Sequence, residues 1–175
     1  HGLDCLSVTV WTPDVGGSGL PVLVWIYGGA FLVGSSNEPT YDGSRLARDG
    51  AVVVSFNYRV GFEGFGHLAD APANRALLDQ VAALRWVHDN IANFGGDPDN
   101  VTVFGESAGG TAVAALLTSP LSAGLFRRAI AQSMAGTLTT PDEARATGEA
   151  IAAAAGAEAT VASLAQVPPE EIHRV

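Results

Sequence analysis

Three short runs of apolar residues, each ending abruptly at a glycine or a polar residue, limit what this chain can fold into. The runs occupy residues 22–27, 51–56 and 101–104 and are rich in β-branched and aromatic side chains. Near-continuous apolar runs of this length are typical of strands that are buried on both faces of a parallel sheet. Residues 6–11 alternate in the manner of a further strand, and residues 129–132 are expected to form one more short strand.

Helical patterns separate these strands. The apolar residues between positions 74 and 93 recur every three or four residues and so form one stripe along a helix. They are Leu77, Val81, Leu84, Val87 and Ile91, and a pair of glycines at 95 and 96 ends the pattern. Further helices are expected at 44–48, from 108 to about 118, from about 140 to 155 and from about 169 onward. Thr140, Pro141 and Glu143 have the spacing of a capping box with proline in the first turn.

The alternation of strands and helices indicates an α/β fold with a mostly parallel central sheet. Residues 57–72, which contain three glycines, are expected to form a long loop. The chain has 175 residues, of which 47% are hydrophobic, enough for one sizeable core and short for two independent units. We therefore expect residues 1–175 to form a single domain.

Charge and cysteine content exclude some classes of function. Eighteen acidic residues against nine basic ones give a net charge of −9, which disfavours binding to nucleic acid and to anionic membrane surfaces. No apolar run has the length of a membrane span, and no charged leader precedes an apolar stretch. The single cysteine, Cys5, is expected to be a buried small hydrophobic residue or, alternatively, half of a bridge to a group outside the chain. The compartment stays open between a cytoplasmic and a secreted protein.

The pentapeptide Gly105-Glu106-Ser107-Ala108-Gly109 follows the third apolar run directly and precedes a helix of small residues. In a chain with 21 glycines, Gly-x-Ser-x-Gly alone is a weak signal. Its strand-turn-helix context is typical of a nucleophile elbow, which raises a serine hydroxyl clear of the sheet on a strained turn. Ser107 is therefore the candidate nucleophile.

A serine hydrolase also needs hydrogen-bond donors for the oxyanion of its tetrahedral intermediate. The small residues that follow Tyr27, namely Gly28, Gly29 and Ala30, come directly after the first apolar run. They leave the amides of Gly29 and Ala30 open to a carbonyl oxygen. The amide of Ala108 is a third candidate, because the first N–H groups of a helix have no partner within that helix. An ordinary turn would explain Gly28-Gly29 if the elbow were absent.

Several stretches longer than the elbow resemble the type B carboxylesterase and cholinesterase family, which includes bacterial para-nitrobenzyl-esterase-like enzymes. They are Asp4-Cys5-Leu6, Val24-Trp25-Ile26-Tyr27-Gly28-Gly29-Ala30-Phe31, Asn57-Tyr58-Arg59-Val60-Gly61, Leu78-Asp79-Gln80, Phe94-Gly95-Gly96-Asp97-Pro98, Gly105-Glu106-Ser107-Ala108-Gly109-Gly110, Phe126-Arg127-Arg128-Ala129-Ile130 and Gln132-Ser133. The resemblance implies part of an α/β-hydrolase fold and the hydrolysis of small-molecule carboxylic esters without a metal or organic cofactor.

The resemblance also assigns roles to individual residues. It implies that Ser107 is the nucleophile and that the amides of Gly29, Ala30 and Ala108 form the oxyanion hole, with Gly28 in support. Glu106 corresponds to a residue that tunes the surroundings of the nucleophile, and Ser133 to a serine that supports the acidic member of the triad. Arg59 and Asp79 correspond to a pair in which a strand-end arginine meets a helix aspartate, so we expect an ion pair.

The base and acid that a catalytic serine needs are not recognisable in the sequence. In α/β-hydrolases the acid and the histidine follow the serine, and only 68 residues follow Ser107. The histidines His1, His67, His88 and His173 have simpler interpretations as terminal, loop, helix-surface and tail residues. We therefore expect an internal fragment of a larger esterase that holds half of an active centre.

Two alternatives stay open. A non-catalytic, cholinesterase-like interaction domain would have the same fold, although an intact elbow with Ser107 speaks against it. Hydrolysis of amides or thioesters could use the same elbow. The oligomeric state and the ester substrate are not predicted.

Overall fold

The computed structural model describes residues 3–136 and 138–175, which form five strands and seven α-helices. The strands are β1 (Val8–Trp11), β2 (Leu20–Ile26), β3 (Val52–Phe56), β4 (Gly96–Glu106) and β5 (Arg128–Gln132). The helices are α1 (Ser44–Arg48), α2 (Gly61–Phe65), α3 (Arg75–Asn90), α4 (Ala108–Thr118), α5 (Pro141–Ala154), α6 (Val161–Leu164) and α7 (Pro169–Ile172).

The five strands form one mixed sheet in the order β1-β3-β2-β4-β5. Strand β1 runs antiparallel to β3, and the other neighbouring pairs are parallel. Strand β2 therefore lies at the centre, with Val24 opposite Val54 on one side and Val103 on the other. The expected α/β architecture with a mostly parallel sheet is confirmed. Since parallel strands end at the same edge, the segments after β2 and β4 come together there.

The core lies where the central strands meet the apolar faces of α3 and α4. The stripe expected on α3 is confirmed, since Val81, Leu84 and Val87 are at most 3% exposed. Strand β3 is buried throughout, whereas β2 alternates between fully and partly buried positions. The expectation that residues 22–27 are buried on both faces is therefore met on one face only. On the other face Trp25 packs against the rings of Tyr41 and Phe104 and is half-buried.

Four elements differ from the sequence-based expectations, and one of them, the short helix α6, was not expected at all. The loop expected at 57–72 contains the short helix α2. The helix expected at 74–93 ends at Asn90 and continues as a 3-10 turn from Ile91 to Phe94. Strand β4 begins at Gly96 rather than at 101, because Gly95 adopts a left-handed conformation (φ 84°) and turns the chain directly into the sheet.

Within the described ranges, no helix combines the length and the apolar character that crossing a bilayer would require.

The last part of the chain, from Pro141 onward, packs as a smaller helical layer. Thr140 and Glu143 form the expected capping box at the start of α5. A second apolar cluster joins Leu68 with Ala152, Leu164 and Ile172, so α5, α6 and α7 are fixed against the segment that precedes α3.

Candidate active site

Ser107 occupies the sharp turn between β4 and α4. Its backbone angles, φ 57° and ψ −123°, are rare for a residue with a Cβ atom and cost about 1–3 kcal/mol. The Ser107 amide donates to the carbonyl of Gln132 in β5 (2.9 Å), and the Thr111 amide donates to the Ser107 carbonyl (3.0 Å). The strained serine is thus anchored to the sheet on one side and to the helix on the other.

Glycines make this turn possible because the backbone of α4 lies directly on the end of β2. A Cβ atom on Gly109 would stand 2.1 Å from the carbonyl oxygen of Ile26, and one on Gly105 would stand 2.6 Å from the carbonyl carbon and oxygen of Gly109. Both distances are well below van der Waals contact. The glycines of the elbow therefore bring the serine down onto the central strand as well as closing the turn.

The loop that follows β2 lies against the elbow. A Cβ atom on Gly28 would be 2.8 Å from the Glu106 carbonyl oxygen and 3.1 Å from Cβ of Ser107. Gly28 is buried, and only a residue without a side chain allows this approach. The two segments that the sequence singled out, 75 residues or more apart, are neighbours in the structure.

Beyond Gly28 the loop turns back through three consecutive residues with positive φ. They are Gly29 (113°), Ala30 (54°) and Phe31 (65°). The amides of Leu32 and Val33 both donate to the Gly29 carbonyl and close the turn. Among the described residues, the amides of Gly29, Ala30 and Ala108 donate to no other protein group. Three free donors therefore belong to the backbone on either side of the elbow.

Two buried tyrosines hold the end of β2 next to the end of β3. The Tyr58 hydroxyl donates to the Tyr27 carbonyl, the Tyr27 hydroxyl donates to the Tyr58 carbonyl (3.2 Å), and the rings stack with centroids 4.4 Å apart. Burial raises the pKa of Tyr27 to about 12 and raises the pKa of Tyr58 further. This reciprocal pair fixes the last residue before Gly28.

Arg59 and Asp79 form a bidentate ion pair. Arg59 Nε and Nη2 donate to the two carboxylate oxygens of Asp79 at 2.7 and 2.6 Å, and the Arg59 amide donates to the same carboxylate at 3.1 Å. The carboxylate of Asp79 is nearly buried, whereas the guanidinium of Arg59 is about a quarter exposed. The Asp79 hydrogen bonds raise the pKa of Arg59. The pair joins the end of β3 to α3.

The histidines lie elsewhere. The His67 carbonyl faces Gly148 of α5, and His88 Nδ1 lies 3.1 Å from the carboxylate of Asp89 on the exposed side of α3. His173 packs beside Gly61 of α2. None of these three hydrogen-bonds to Ser107 within the described ranges, and His1 lies outside them.

The remaining sequence-predicted residues lie at the surface. Glu106 is exposed beside the elbow, and Ser133 follows β5 with a positive φ of 48°. Cys5 is exposed, so its expected burial is wrong. It lies in a 3-10 turn that precedes β1, an edge strand of the sheet that the described residues form. In the described ranges no cluster of three or more histidine, cysteine or acidic residues could hold a metal ion.

Sequence reasoning gave Phe31 no role, but the structure ties it to α2. The Gly61 amide donates to the Phe31 carbonyl at 2.6 Å, and the Phe31 and Phe65 rings meet edge to face at 4.9 Å between centroids. The one signal in the sequence was an aromatic residue directly after three small ones. Its contacts could not be predicted because α2 was not.

The chain is similar to known proteins in both sequence and structure. The model of the carboxylesterase family matches residues 3–175. Para-nitrobenzyl esterase of Bacillus subtilis is 55% identical over 152 residues, which are 84% of this chain and 31% of that protein. Human carboxylesterase 3 is 53% identical over 143 residues, 79% of this chain and 24% of that protein. The chain thus spans less than a third of the length of these relatives.

Solved structures agree with this match. A PNB esterase superposes with a TM-score of 0.90 at 47% identity, covering 98% of this chain and 38% of that one. A carboxylesterase of Geobacillus stearothermophilus gives a TM-score of 0.90 at 48% identity, with the same coverage. The architecture is therefore that of an α/β-hydrolase, and the chain belongs to the carboxylesterase family.

Proposed function

We propose that the protein is a serine carboxylic ester hydrolase in which Ser107 is the nucleophile. The observation that carries the proposal is the strained backbone of Ser107 at the end of β4, with the Gly28 backbone against it. Strain of this size persists only where the surrounding structure enforces it, and such positions cluster at active sites. A serine in an incidental turn would have no need of it.

The proposed reaction has two steps. Ser107 Oγ attacks the ester carbonyl carbon while a base takes its proton, and the carbon–oxygen bond to the alcohol then breaks as that proton passes to the leaving alkoxide. Water next attacks the acyl group on Ser107, giving the carboxylic acid and the free serine. The base and the acid that orients it belong to parts of the protein other than the described residues.

The amides of Gly29, Ala30 and Ala108 are the proposed oxyanion donors. Their freedom from other hydrogen bonds and the contact of the adjacent Gly28 with Glu106 and Ser107 support this role. Each such donor contributes roughly 10²- to 10³-fold to the rate in serine hydrolases. Since backbone groups supply them, no side-chain substitution removes them directly.

Small-molecule carboxylic esters are the proposed substrates. The relatives include a para-nitrobenzyl esterase and a fumonisin B1 esterase, so enzymes similar to this chain act on varied esters. A non-catalytic interaction domain is the less favoured alternative because the serine and its elbow are both intact. An amidase or thioesterase would use the same elbow, and the assays below separate these activities.

The test is covalent labelling of the full-length protein with a fluorophosphonate, followed by peptide mapping of the adduct. We expect the label on Ser107 and no label in Ser107→Ala, with Ser44→Ala, an exposed serine of α1, labelled as the wild type is. The rate of para-nitrophenyl acetate hydrolysis should fall at least about 10⁴-fold in Ser107→Ala and should stay at the wild-type value in Ser44→Ala. A label on another residue would refute the assignment, and turnover of amides or thioesters in preference to esters would change the reaction class.

A further inference from the structure

Arg75, the first residue of α3, is a buried cation with an unusual set of partners. Only 6% of the residue surface is exposed. The guanidinium donates four hydrogen bonds, all of them to backbone carbonyls. They run from Nε to Glu63 (2.8 Å), from Nη1 to Pro72 (3.0 Å), and from Nη2 to Phe62 (3.0 Å) and Gly66 (2.9 Å). Burial and the nearby Arg59 lower the pKa of Arg75.

A cation at this place is costly by itself. The first turn of a helix has a positive partial charge, and desolvation of a guanidinium disfavours its charged form. The four carbonyls offset both effects only if the segment 62–72 keeps its present conformation. Arg75 and that segment therefore stabilise each other.

The segment held by Arg75 contains α2, which has only five residues, two of them glycines, at its first and fourth positions. A helix this short is not stable alone, and the last carbonyls of a helix lack partners within it. Arg75 supplies donors to the carbonyls of Glu63 and the capping residue Gly66, and a second donor to the Phe62 carbonyl, which also accepts from the Gly66 amide. It thus acts as a side-chain cap for α2.

Helix α2 in turn holds the loop beside Ser107. The Gly61 amide at its start donates to the Phe31 carbonyl, and Phe65 at its end packs against the Phe31 ring. Phe31 and Ala30 both have positive φ, which a residue with a side chain keeps only under outside constraint. The contacts of α2 are such a constraint.

We propose that Arg75 is a positioning residue for the oxyanion donors, acting through α2 and Phe31 on the amides of Gly29 and Ala30. This inference rests on the proposed ester hydrolysis at Ser107. A shift of about 1 Å in donors of this kind can cost on the order of 10²-fold in rate. The effect falls on the transition state, since negative charge on the carbonyl oxygen develops there and in the tetrahedral intermediate but is absent from the bound ester.

The experiment compares Arg75→Met, Arg75→Lys and wild type in the full-length protein with para-nitrophenyl acetate. For Arg75→Met we expect kcat to fall about 10- to 100-fold while KM changes less than about threefold. Lysine cannot reach four carbonyls at once, so Arg75→Lys should lie in between. Arg85→Met, an exposed arginine of the same helix, is the matched control and should keep wild-type kcat.

A second measurement separates positioning from simple loss of stability. A trifluoromethyl ketone forms an oxyanion adduct with the serine, so its inhibition constant should rise by about the same factor as kcat falls. Phe65→Leu leaves Arg75 in place and cuts the contact to Phe31, so it should show the same pattern. If Arg75→Met does not fold, the kcat values and inhibition constants of Arg75→Lys and Phe65→Leu test the inference instead.

Wild-type kcat and inhibition constant in folded Arg75→Lys and Phe65→Leu would overturn the inference, as would a loss confined to KM. These results are distinct from failure of the proposed function. In that case the wild type itself would not hydrolyse the ester, or Ser107→Ala would remain active.

Discussion

At the scale of single residues, the close approach of backbone segments determines which residues around Ser107 tolerate substitution. Gly109 lies where α4 meets the carbonyl of Ile26, whereas Gly136 has no atom within 4 Å of its missing Cβ. We expect Gly109→Ala to lower the free energy of unfolding by about 1–3 kcal/mol, as overpacking does, and Gly136→Ala to leave it unchanged. Urea denaturation of the two variants tests this, and equal stability would mean that the elbow can shift away from β2.

The tyrosine pair makes stability depend on alkaline pH. Burial raises the pKa of Tyr27 from 10.0 to about 12, and the pKa of Tyr58 is raised as well. Since the folded state holds these protons more tightly than the unfolded state, the stabilisation is complete below pH 10 and is lost as pH rises through the folded pKa values.

We therefore expect the wild type to lose stability more steeply above pH 10 than Tyr27→Phe does. Urea denaturation at several pH values on either side of 10, with ionisation followed by near-ultraviolet absorbance, measures the difference. Parallel pH profiles for the two proteins would contradict a buried, protonated Tyr27.

At the scale of secondary-structure elements, the start of α5 makes the stability of the protein fall in acid, whereas the tyrosine pair makes it fall in alkali. The Thr140 amide and hydroxyl donate to the Glu143 carboxylate and lower its pKa from the ordinary 4.5. A lowered folded pKa stabilises the protein above the unfolded value, and this stabilisation is lost as pH falls through the folded value. Glu143→Gln should thus be less stable than wild type at neutral pH and equal to it in acid.

Thermal unfolding followed by circular dichroism across this pH range measures the effect. Glu149→Gln, an exposed residue of the same helix, provides the matched control for loss of one negative charge. If both variants differed from wild type by the same amount at every pH, the capping box would contribute nothing specific.

Elements with strong local signals were predicted, and those stabilised by distant contacts were not. The stripe on α3 and the capping box of α5 depend on residues close in sequence, so periodicity and spacing predict them. Helix α2 contains Gly61 and Gly64, which disfavour helix, and Arg75, outside this helix, donates to the carbonyls of Phe62 and Glu63 within it. Tertiary contacts of that kind leave no periodic pattern in the sequence.

At the scale of the whole molecule, the site depends on which strands are neighbours. The elbow was recognisable because its residues are contiguous, but the approach of Gly28 to Ser107 follows from the pairing of β2 with β4. Spacing in the sequence does not predict that pairing. The same limit explains the wrong prediction of burial for Cys5. Its exposure results from its position before the edge strand β1, and spacing in the sequence does not predict the strand order.

The described residues contain the proposed nucleophile, Ser107, and no histidine that hydrogen-bonds to it, which predicts low activity for the 175-residue polypeptide alone. Loss of a triad member costs about 10⁴- to 10⁶-fold in serine hydrolases, so the chain should hydrolyse para-nitrophenyl acetate slower than the full-length protein by such a factor. Measured rates for the two, with Ser107→Ala as the background, test this. A rate within about tenfold of the full-length protein would require a histidine to reach Ser107.

The position of β2 between β3 and β4 also has a consequence for synthesis on the ribosome. Strands β1, β2 and β3 are complete by residue 56, whereas β4 ends at residue 106. Synthesis proceeds at about 5–20 residues per second, so the edge of β2 that later pairs with β4 stays without a partner strand for several seconds. During that interval the residues around Gly28 lack their contact with the elbow, so we expect chaperones that bind exposed strands to contact this segment before the rest of the proposed active site has been synthesised.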